Sequence, residues 1–288
     1  NEASKDLGTR LDFSIPKHSK ECQDKYDIYP TDFVCKTKNY ESFFNDPFLI
    51  WGDSHATFMQ PAFQNAANIL NKRFVFTSYS GCPPVLNVRL TNQTLGHKCK
   101  EYNDAVFDYI LLNGIKMVYL IFRHNLYVEG FDTVDRSYEK PVLITDFALR
   151  LDKNNVDTAY EAFDRNFSYT LNRLKANSIN VVVVHQVPNL NVHPLDSLSK
   201  SMALGVSTDR IPKRKRYEFQ NRSRRVKNYL IKNNVDFIDF TDSFCSKSEC
   251  MIFKDGKSLY RDTSHIGIYG LELIKPEIIK LIKKYNDH

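Results

Sequence analysis

Phe48-Leu-Ile-Trp-Gly-Asp-Ser-His-Ala56 is the stretch on which the reading of this chain turns. Four bulky apolar residues in a row suit a short strand buried on both faces. Gly52 then permits a tight turn. A helical pattern follows over 56–71. A serine held between a buried strand and a helix start faces a cleft. Its backbone N–H lies where the helix carries partial positive charge, which favours a developing oxyanion. The same segment also permits a plainer role, with Asp53 or Ser54 serving only as the helix N-cap.

Outward from this segment, the strand–turn–helix pattern recurs. Arg73–Thr77 ends in Ser78-Tyr-Ser-Gly81, Met117–Phe122 in Arg123-His-Asn125, and Asn180–Val184 in His185; Val235–Phe240 is the fifth run. Helices are predicted over 101–114, 157–177, 216–233 and 267–285. In 157–177, Ala159, Ala162, Phe163, Phe167, Thr170, Leu171 and Leu174 fall at amphipathic spacing. This alternation predicts an α/β fold: a doubly wound, mostly parallel five-stranded sheet with helices on both faces. Sites in such sheets form at the carboxyl ends of the strands, where the polar residues named above gather. Residues 1–45 are polar and irregular and read as an N-terminal linking extension packed on the main domain, which is predicted over 46–288. The segments 125–156 and 186–215 are insertions of a length often used for binding loops or lids.

Near the other end stands Tyr260-Arg-Asp-Thr-Ser-His-Ile266. A carboxylate three residues before a histidine, on a turn, can accept a hydrogen bond from the ring. That fixes the tautomer and leaves the second nitrogen free to take a proton from a hydroxyl. Capping by Asp262 or Ser264 is the alternative. Asp53, His55, His124 and His185 sit at strand ends and are candidate neighbours of the cleft.

The chain has 288 residues, 42% of them hydrophobic, enough for a real core. Its six cysteines form sequence-local pairs, Cys22 with Cys35, Cys82 with Cys99 and Cys245 with Cys250. They suit disulfides in an oxidising compartment. Metal binding is the alternative, disfavoured because no CxxC occurs and no cluster has ligand spacing. With 40 basic and 34 acidic residues the net charge is only +6. The basic cluster of Lys213, Arg214, Lys215, Arg216, Arg222, Arg224 and Arg225 reads as a solvated loop leading into a helix. A surface for anionic glycan or membrane headgroups is the second reading; no nucleic-acid module accompanies it, and nucleic acid is not expected. No apolar run is long enough to span a bilayer, and no signal peptide is present, so the chain reads as a soluble piece of a longer protein.

Taken together, GDSH after the first strand and DxxH before the last helix resemble the SGNH hydrolase superfamily, from Phe48 to His288. The resemblance implies a triad of Ser54, Asp262 and His265. Tyr79-Ser-Gly-Cys-Pro-Pro84 resembles the superfamily's second block, which implies an oxyanion hole built from the N–H groups of Ser54 and Gly81. The usual third block, Gly-x-Asn-Asp, is missing. Its place holds Phe122-Arg-His-Asn125, so the third donor is Arg123 or Asn125, with Arg123 preferred. LIWGDSHA, SGCPP and the cysteine pairs look most like the periplasmic SGNH domain that follows the membrane domain of acyltransferase-3 proteins, which O-acetylate bacterial surface glycans such as lipopolysaccharide O-antigen. The resemblance implies serine-dependent O-acetyl transfer to a glycan hydroxyl. A carbohydrate O-acetyl esterase and a non-catalytic glycan-binding module are the alternatives. It further implies no cofactor and no metal, and an acetyl group delivered by the membrane domain of the same polypeptide from acetyl-CoA on the cytoplasmic side. The domain would be monomeric as a fragment and tethered to the inner membrane on its periplasmic side.

Overall fold

The apolar runs assemble into one sheet in the computed structural model, which describes residues 35–36, 45–90, 98–130, 144–146 and 156–286. Its strands are β1 (Cys35–Lys36), β2 (Phe48–Gly52), β3 (Phe74–Ser78), β5 (Met117–Ile121), β7 (Asn180–Val184) and β9 (Phe237–Ile238). They lie in the order β1-β3-β2-β5-β7-β9. All neighbours are parallel except β1, which runs antiparallel on the β3 edge. Among the described residues there are also three short antiparallel ribbons: β4 (Val88–Leu90) with β6 (Ile144–Asp146), β8 (Arg214–Lys215) with β10 (Glu249–Cys250), and β11 (Phe253–Lys254) with β12 (Lys257–Ser258).

Register decides where the chemistry collects. Gly52 stands opposite Ser78 on one side and Ile121 on the other; Ile121 stands opposite Val184, and Val184 opposite Ile238. The last residues of five strands therefore form one rank. The segments that follow them emerge along a single edge. Chain order runs outward from β2 to β3 and, after a crossover, from β5 through β7 to β9. The switch lies between β2 and β5, where an open α/β sheet forms its crevice.

Helices cover both faces because the strand residues alternate. Leu49, Trp51, Val118, Leu120 and Val183 pack with α2 (Cys99–Leu112), α4 (Val156–Ala176) and α6 (Arg216–Lys232). Phe48, Ile50, Tyr119, Ile121 and Val184 pack with α1 (Ser54–Ile69) and α8 (Ile268–Asn286). The shorter helices are α3 (His124–Glu129), α5 (Pro194–Ala203) and α7 (Thr241–Phe244). Trp51, Phe63, Tyr119, Phe163 and Phe167 are fully buried, each side chain of this kind being worth roughly 1.5–3 kcal/mol of transfer free energy.

The sheet thus has six strands, not the five expected from the sequence. The added strand, β1, is two residues long in a polar stretch and carries no periodic signal. Val235–Phe240 supplies only Phe237–Ile238 to the ladder. The 186–215 insertion holds α5 and a short 3-10 turn, Thr208–Arg210. Apart from residues 35–36 and 45, the 1–45 extension lies outside the described residues. No helix among the described residues is long and apolar enough to cross a membrane.

Candidate active site

The site begins with a close approach of two backbones. A Cβ on Gly52 would lie 1.7 Å from the Ile121 carbonyl oxygen, so only glycine lets β2 and β5 run together here. Asp53 follows as the N-cap of α1, its Oδ1 accepting from the His55 N–H at 2.8 Å. The helix starts at Ser54, two residues earlier than the periodicity suggests, so the Ser54 amide is one of the first-turn donors without an intrahelical partner. The capping role in this segment falls to Asp53, and Ser54 is the first residue of the helix.

Asp53 does more than cap. Its Oδ2 accepts from the Arg123 N–H at 2.9 Å and from the Tyr127 hydroxyl at 2.7 Å. The side chain is 1% exposed. Burial alone would raise its pKa; the bonds from His55, Tyr127 and the Arg123 amide outweigh burial and hold the carboxyl below its ordinary range. Asp53 thus ties the turn after β2 to the turn after β5 and to α3.

The second half of the site is the loop between β12 and α8. It is closed on itself by the Tyr260–Ile266 bridge and by the Arg261 N–H donating to the His265 carbonyl at 3.0 Å. Inside it Asp262 Oδ1 accepts from the amides of Ser264 (2.9 Å) and His265 (2.8 Å), while Oδ2 lies 2.7 Å from His265 Nδ1. Burial opposes ionisation of Asp262, but the His265 ring and these two amides prevail and set its pKa well below the usual carboxylate range. An ionised acceptor fixes the proton of His265 on Nδ1. The other ring nitrogen, Nε2, is 2.8 Å from Ser54 Oγ, across 211 residues of sequence. The imidazole also packs on two rings of α1, His55 at 4.6 Å and Phe58 at 4.5 Å between centroids. Burial first, then His265, keep His55 below its ordinary pKa against the pull of Asp53, so this neighbour is neutral.

The loop after β3 is held from below. Gly81 has φ +74, a conformation that favours glycine. Its neighbour Cys82 is disulfide-bonded to Cys99 at the start of α2. Asn103 on α2 donates to the carbonyls of Pro83 (2.9 Å) and Val85 (2.8 Å) and accepts from the Trp51 indole at 3.0 Å. The Tyr79 N–H donates to the Gly52 carbonyl at 3.0 Å, which brings this loop beside Ser54.

After β5, Arg123 is 9% exposed, and its charge acts on both His55 and Tyr127. Asn125 is 3% exposed. His124 and His185, expected as possible cleft neighbours, are buried at 0% and 1% exposure, their rings 4.4 Å apart between centroids and tilted by 50°. Their burial takes them out of solvent, and the Gln186 N–H donates to His124 Nε2 at 3.3 Å. The sequence reading missed Phe58, Tyr127 and Gln186. Phe58 carries a signal, since it lies one helical turn beyond His55. Tyr127 and Gln186 carry none before the sheet order is known.

Cys245 is bonded to Cys250. Cys35 is also disulfide-bonded, but its expected partner, Cys22, lies outside the described residues. Most of the basic cluster has partners nearby: Lys215 with Glu249, Arg216 with Asp242, Arg225 with Asp157, and Arg222 with the Gly130 carbonyl. Its first reading, a solvated loop leading into a helix, fails at Arg214, which is 3% exposed and donates to the Asn189 carbonyl at 3.3 Å. Among the described residues no group of three His, Cys, Asp or Glu side chains converges as metal ligands do.

A family model described as "SGNH domain (fused to AT3 domains)" matches residues 21–280. Among solved structures, the chain is similar to the lipopolysaccharide acetyltransferase periplasmic domain of Salmonella ser. Paratyphi A, with a TM-score of 0.60 and 14% identity over 85% of this chain and 86% of that one. It is less similar to Axe2, an acetylxylan esterase from Geobacillus stearothermophilus, with a TM-score of 0.45 and 13% identity over 83% of this chain and 95% of that one. A GDSL-like lipase from Bacteroides thetaiotaomicron matches with a TM-score of 0.42 and 12% identity over 94% of this chain and 99% of that one. Among curated proteins none matches the chain. With 21–280 covered by the family model, the chain belongs to the SGNH domain family that is fused to AT3 domains.

Proposed function

We propose that this domain transfers acetyl groups to hydroxyls of a bacterial surface glycan, lipopolysaccharide O-antigen first among them, through an acetyl-Ser54 intermediate. The reading rests on one observation: the unbroken line from Ser54 Oγ through His265 to Asp262, at 2.8 and 2.7 Å. Family membership and the fold shared with a periplasmic acetyltransferase domain support it.

His265 Nε2, bare because Nδ1 donates to Asp262, takes the Ser54 hydroxyl proton as Oγ attacks the acetyl carbonyl. Asp262 stabilises the imidazolium. The oxyanion is met by the N–H groups of Ser54 and Gly81 and by a side chain after β5, Arg123 or Asn125. Collapse expels the donor's leaving group, which takes the proton from His265, and Ser54 is left acetylated. A glycan hydroxyl then attacks, its proton passing to His265 and on to Ser54 Oγ as the acetate ester of the sugar departs. The acetyl group would come from the membrane domain of the same polypeptide, charged by acetyl-CoA on the cytoplasmic side, with this domain in the periplasm.

The decisive test uses the full-length protein in membranes with acetyl-CoA and O-polysaccharide, together with p-nitrophenyl acetate hydrolysis by this chain alone. Ser54→Ala is expected to abolish both activities and labelling by a fluorophosphonate. Acetyl transfer at an undiminished rate in Ser54→Ala would sink the scheme. Fast hydrolysis unaffected by acceptor, with no acetylated sugar formed by either preparation, would identify an esterase. A wild-type chain that binds glycan but resists the fluorophosphonate would identify a binding module.

A further inference from the structure

The nucleophile and its base reach the site on different parts of the chain. Ser54 is the first residue of α1, while Asp262 and His265 belong to the loop before α8. The bond between His265 Nδ1 and Asp262 orients the ring within that loop. It does not set the loop against α1, since both partners would move together. The 2.8 Å contact of His265 Nε2 with Ser54 Oγ needs a second fix, one that refers the imidazole to the helix. Phe58 meets that need. It stands four residues after Ser54, one turn along, so the two side chains share a face of α1. Its half-buried ring is 4.5 Å from the His265 ring between centroids, tilted by 47°. The Arg261 guanidinium lies over the same ring, 5.0 Å from its centroid. Arg261 is tied to His265 in turn, its N–H donating to the His265 carbonyl at 3.0 Å. Two side chains of the loop therefore grip one side chain of the helix. One of them is a cation, and the other becomes one when it takes the Ser54 proton. An aliphatic residue at 58 could fill the same space, but it has no face of negative potential to offer them.

We propose that Phe58 is a positioning residue for His265: its ring holds the imidazole at Ser54 and attracts the imidazolium as it forms. This rests on the acyl-serine reading above and adds to it a group that acts only through the base. A cation is drawn to an aromatic face far more than a neutral imidazole is. The contact therefore strengthens as the proton leaves Ser54, favours the transition state over the ground state and belongs in kcat. Arg261 draws on the same ring and repels a second cation, which keeps the gain modest.

Fluorination of the ring separates its electrostatics from its packing. Mono-, di- and trifluorophenylalanine at position 58 keep the shape of the ring and drain its face of negative potential. With p-nitrophenyl acetate, kcat is expected to fall stepwise with each fluorine while KM stays constant. Labelling of Ser54 by a fluorophosphonate, which also passes a proton to His265, is expected to slow in parallel. Phe58→Leu is expected to lower kcat about five- to tenfold, the size of one cation–π contact, and Phe58→Tyr to stay within about twofold of the unmodified chain. Rates indifferent to fluorination, or equal losses in Phe58→Tyr and Phe58→Leu, would overturn the proposal and leave Phe58 as packing. A raised KM with kcat unchanged would overturn it too, by placing the ring in substrate binding. Should Phe58→Leu fail to fold, the fluorinated series still decides. An unmodified chain in which the fluorophosphonate leaves Ser54 unlabelled would instead defeat the acyl-serine reading.

Discussion

Asp53 is the residue that holds the two halves of the strand-end rank to each other, and it does so as a buried anion with three donors and no lysine or arginine ion pair among its hydrogen bonds. A buried carboxylate in this setting depends on every bond it has. Tyr127→Phe removes one of them and changes little else, since the Tyr127 ring is fully buried and would stay so. The variant is expected to lose about 1–3 kcal/mol in a urea melt, the cost of withdrawing one partner from a buried charged group. The Asp53 pKa should climb toward its unfolded value in the same variant. Stability would then be lost at a higher pH on acidification, because a carboxyl stabilised in the folded state contributes above its unfolded pKa and ceases to contribute as pH falls through its folded one. An unchanged melt in Tyr127→Phe would show that the 2.7 Å contact adds nothing to the fold.

At the scale of elements, the tightest constraint is the one between β2 and β5. Gly52→Ala would drive a methyl group into the Ile121 carbonyl and to 2.8 Å from the Ala56 Cβ. Neither neighbour can yield, one being sheet backbone and the other the first turn of α1. The substitution is expected to prevent soluble expression or to lower stability by more than about 3 kcal/mol, in the range of severe overpacking or backbone strain; circular dichroism melts would measure it. A fully stable Gly52→Ala would mean that the strands can separate, and that Ser54 is less firmly placed than its register implies. The same strand was the most readable part of the sequence. Phe48–Trp51 is wholly apolar because both of its faces are covered, one by α2, α4 and α6 and the other by α1 and α8. Ser54, Asp262 and His265 were readable for a different reason. Each owes its local geometry to the residues beside it: Asp262 to the amides two and three positions on, Ser54 to the turn it sits in. The donor after β5 was unreadable at the level of choice between Arg123 and Asn125. Both are held by groups far away in sequence, the Arg123 N–H by Asp53 and the Asn125 N–H by Gln186, which follows β7 and whose nearness no local pattern announces. β1 escaped notice for a plainer reason: two residues cannot show a period, and its pairing with β3 comes from the edge left open there.

Across the molecule, the C-terminal edge of the sheet gathers ionisable groups that are buried or, for Asp239, half-buried, and these should govern its acid stability. From β2 outward they are Asp53 and His55, then His124, then His185, then Asp239. His185 is the one with the least support. Neither ring nitrogen has a hydrogen-bond partner, and its Nδ1 is 3.6 Å from Asp239 Oδ1. The groups facing it are His124 from α3, Asp239 beyond β9, Lys227 from α6 bonded to that same carboxylate at 2.6 Å, and the Phe219 ring. Burial pulls its pKa from 6.5 down to about 4, with Asp239 pulling the other way and Lys227 adding to the fall. Above pH 6.5 the ring is neutral whether the chain is folded or not and has no effect on the pH slope. Between 6.5 and about 4 the unfolded chain binds a proton that the folded chain refuses, so stability falls across this window. A shift of this size corresponds to at most about 3 kcal/mol. Asp239, held at about 2 against burial by His185, Lys227 and Thr241, acts in a separate window below 3.8, where its stabilisation is lost as it protonates. His185→Phe keeps a ring against His124 and Phe219 but removes the titration. Its stability, followed by urea unfolding from pH 7 to pH 4, is expected to be flatter than that of the unmodified chain, with the two curves diverging most near pH 4. Parallel curves would assign the acid sensitivity of this edge to its carboxylates and leave His185 as a ring that fills space.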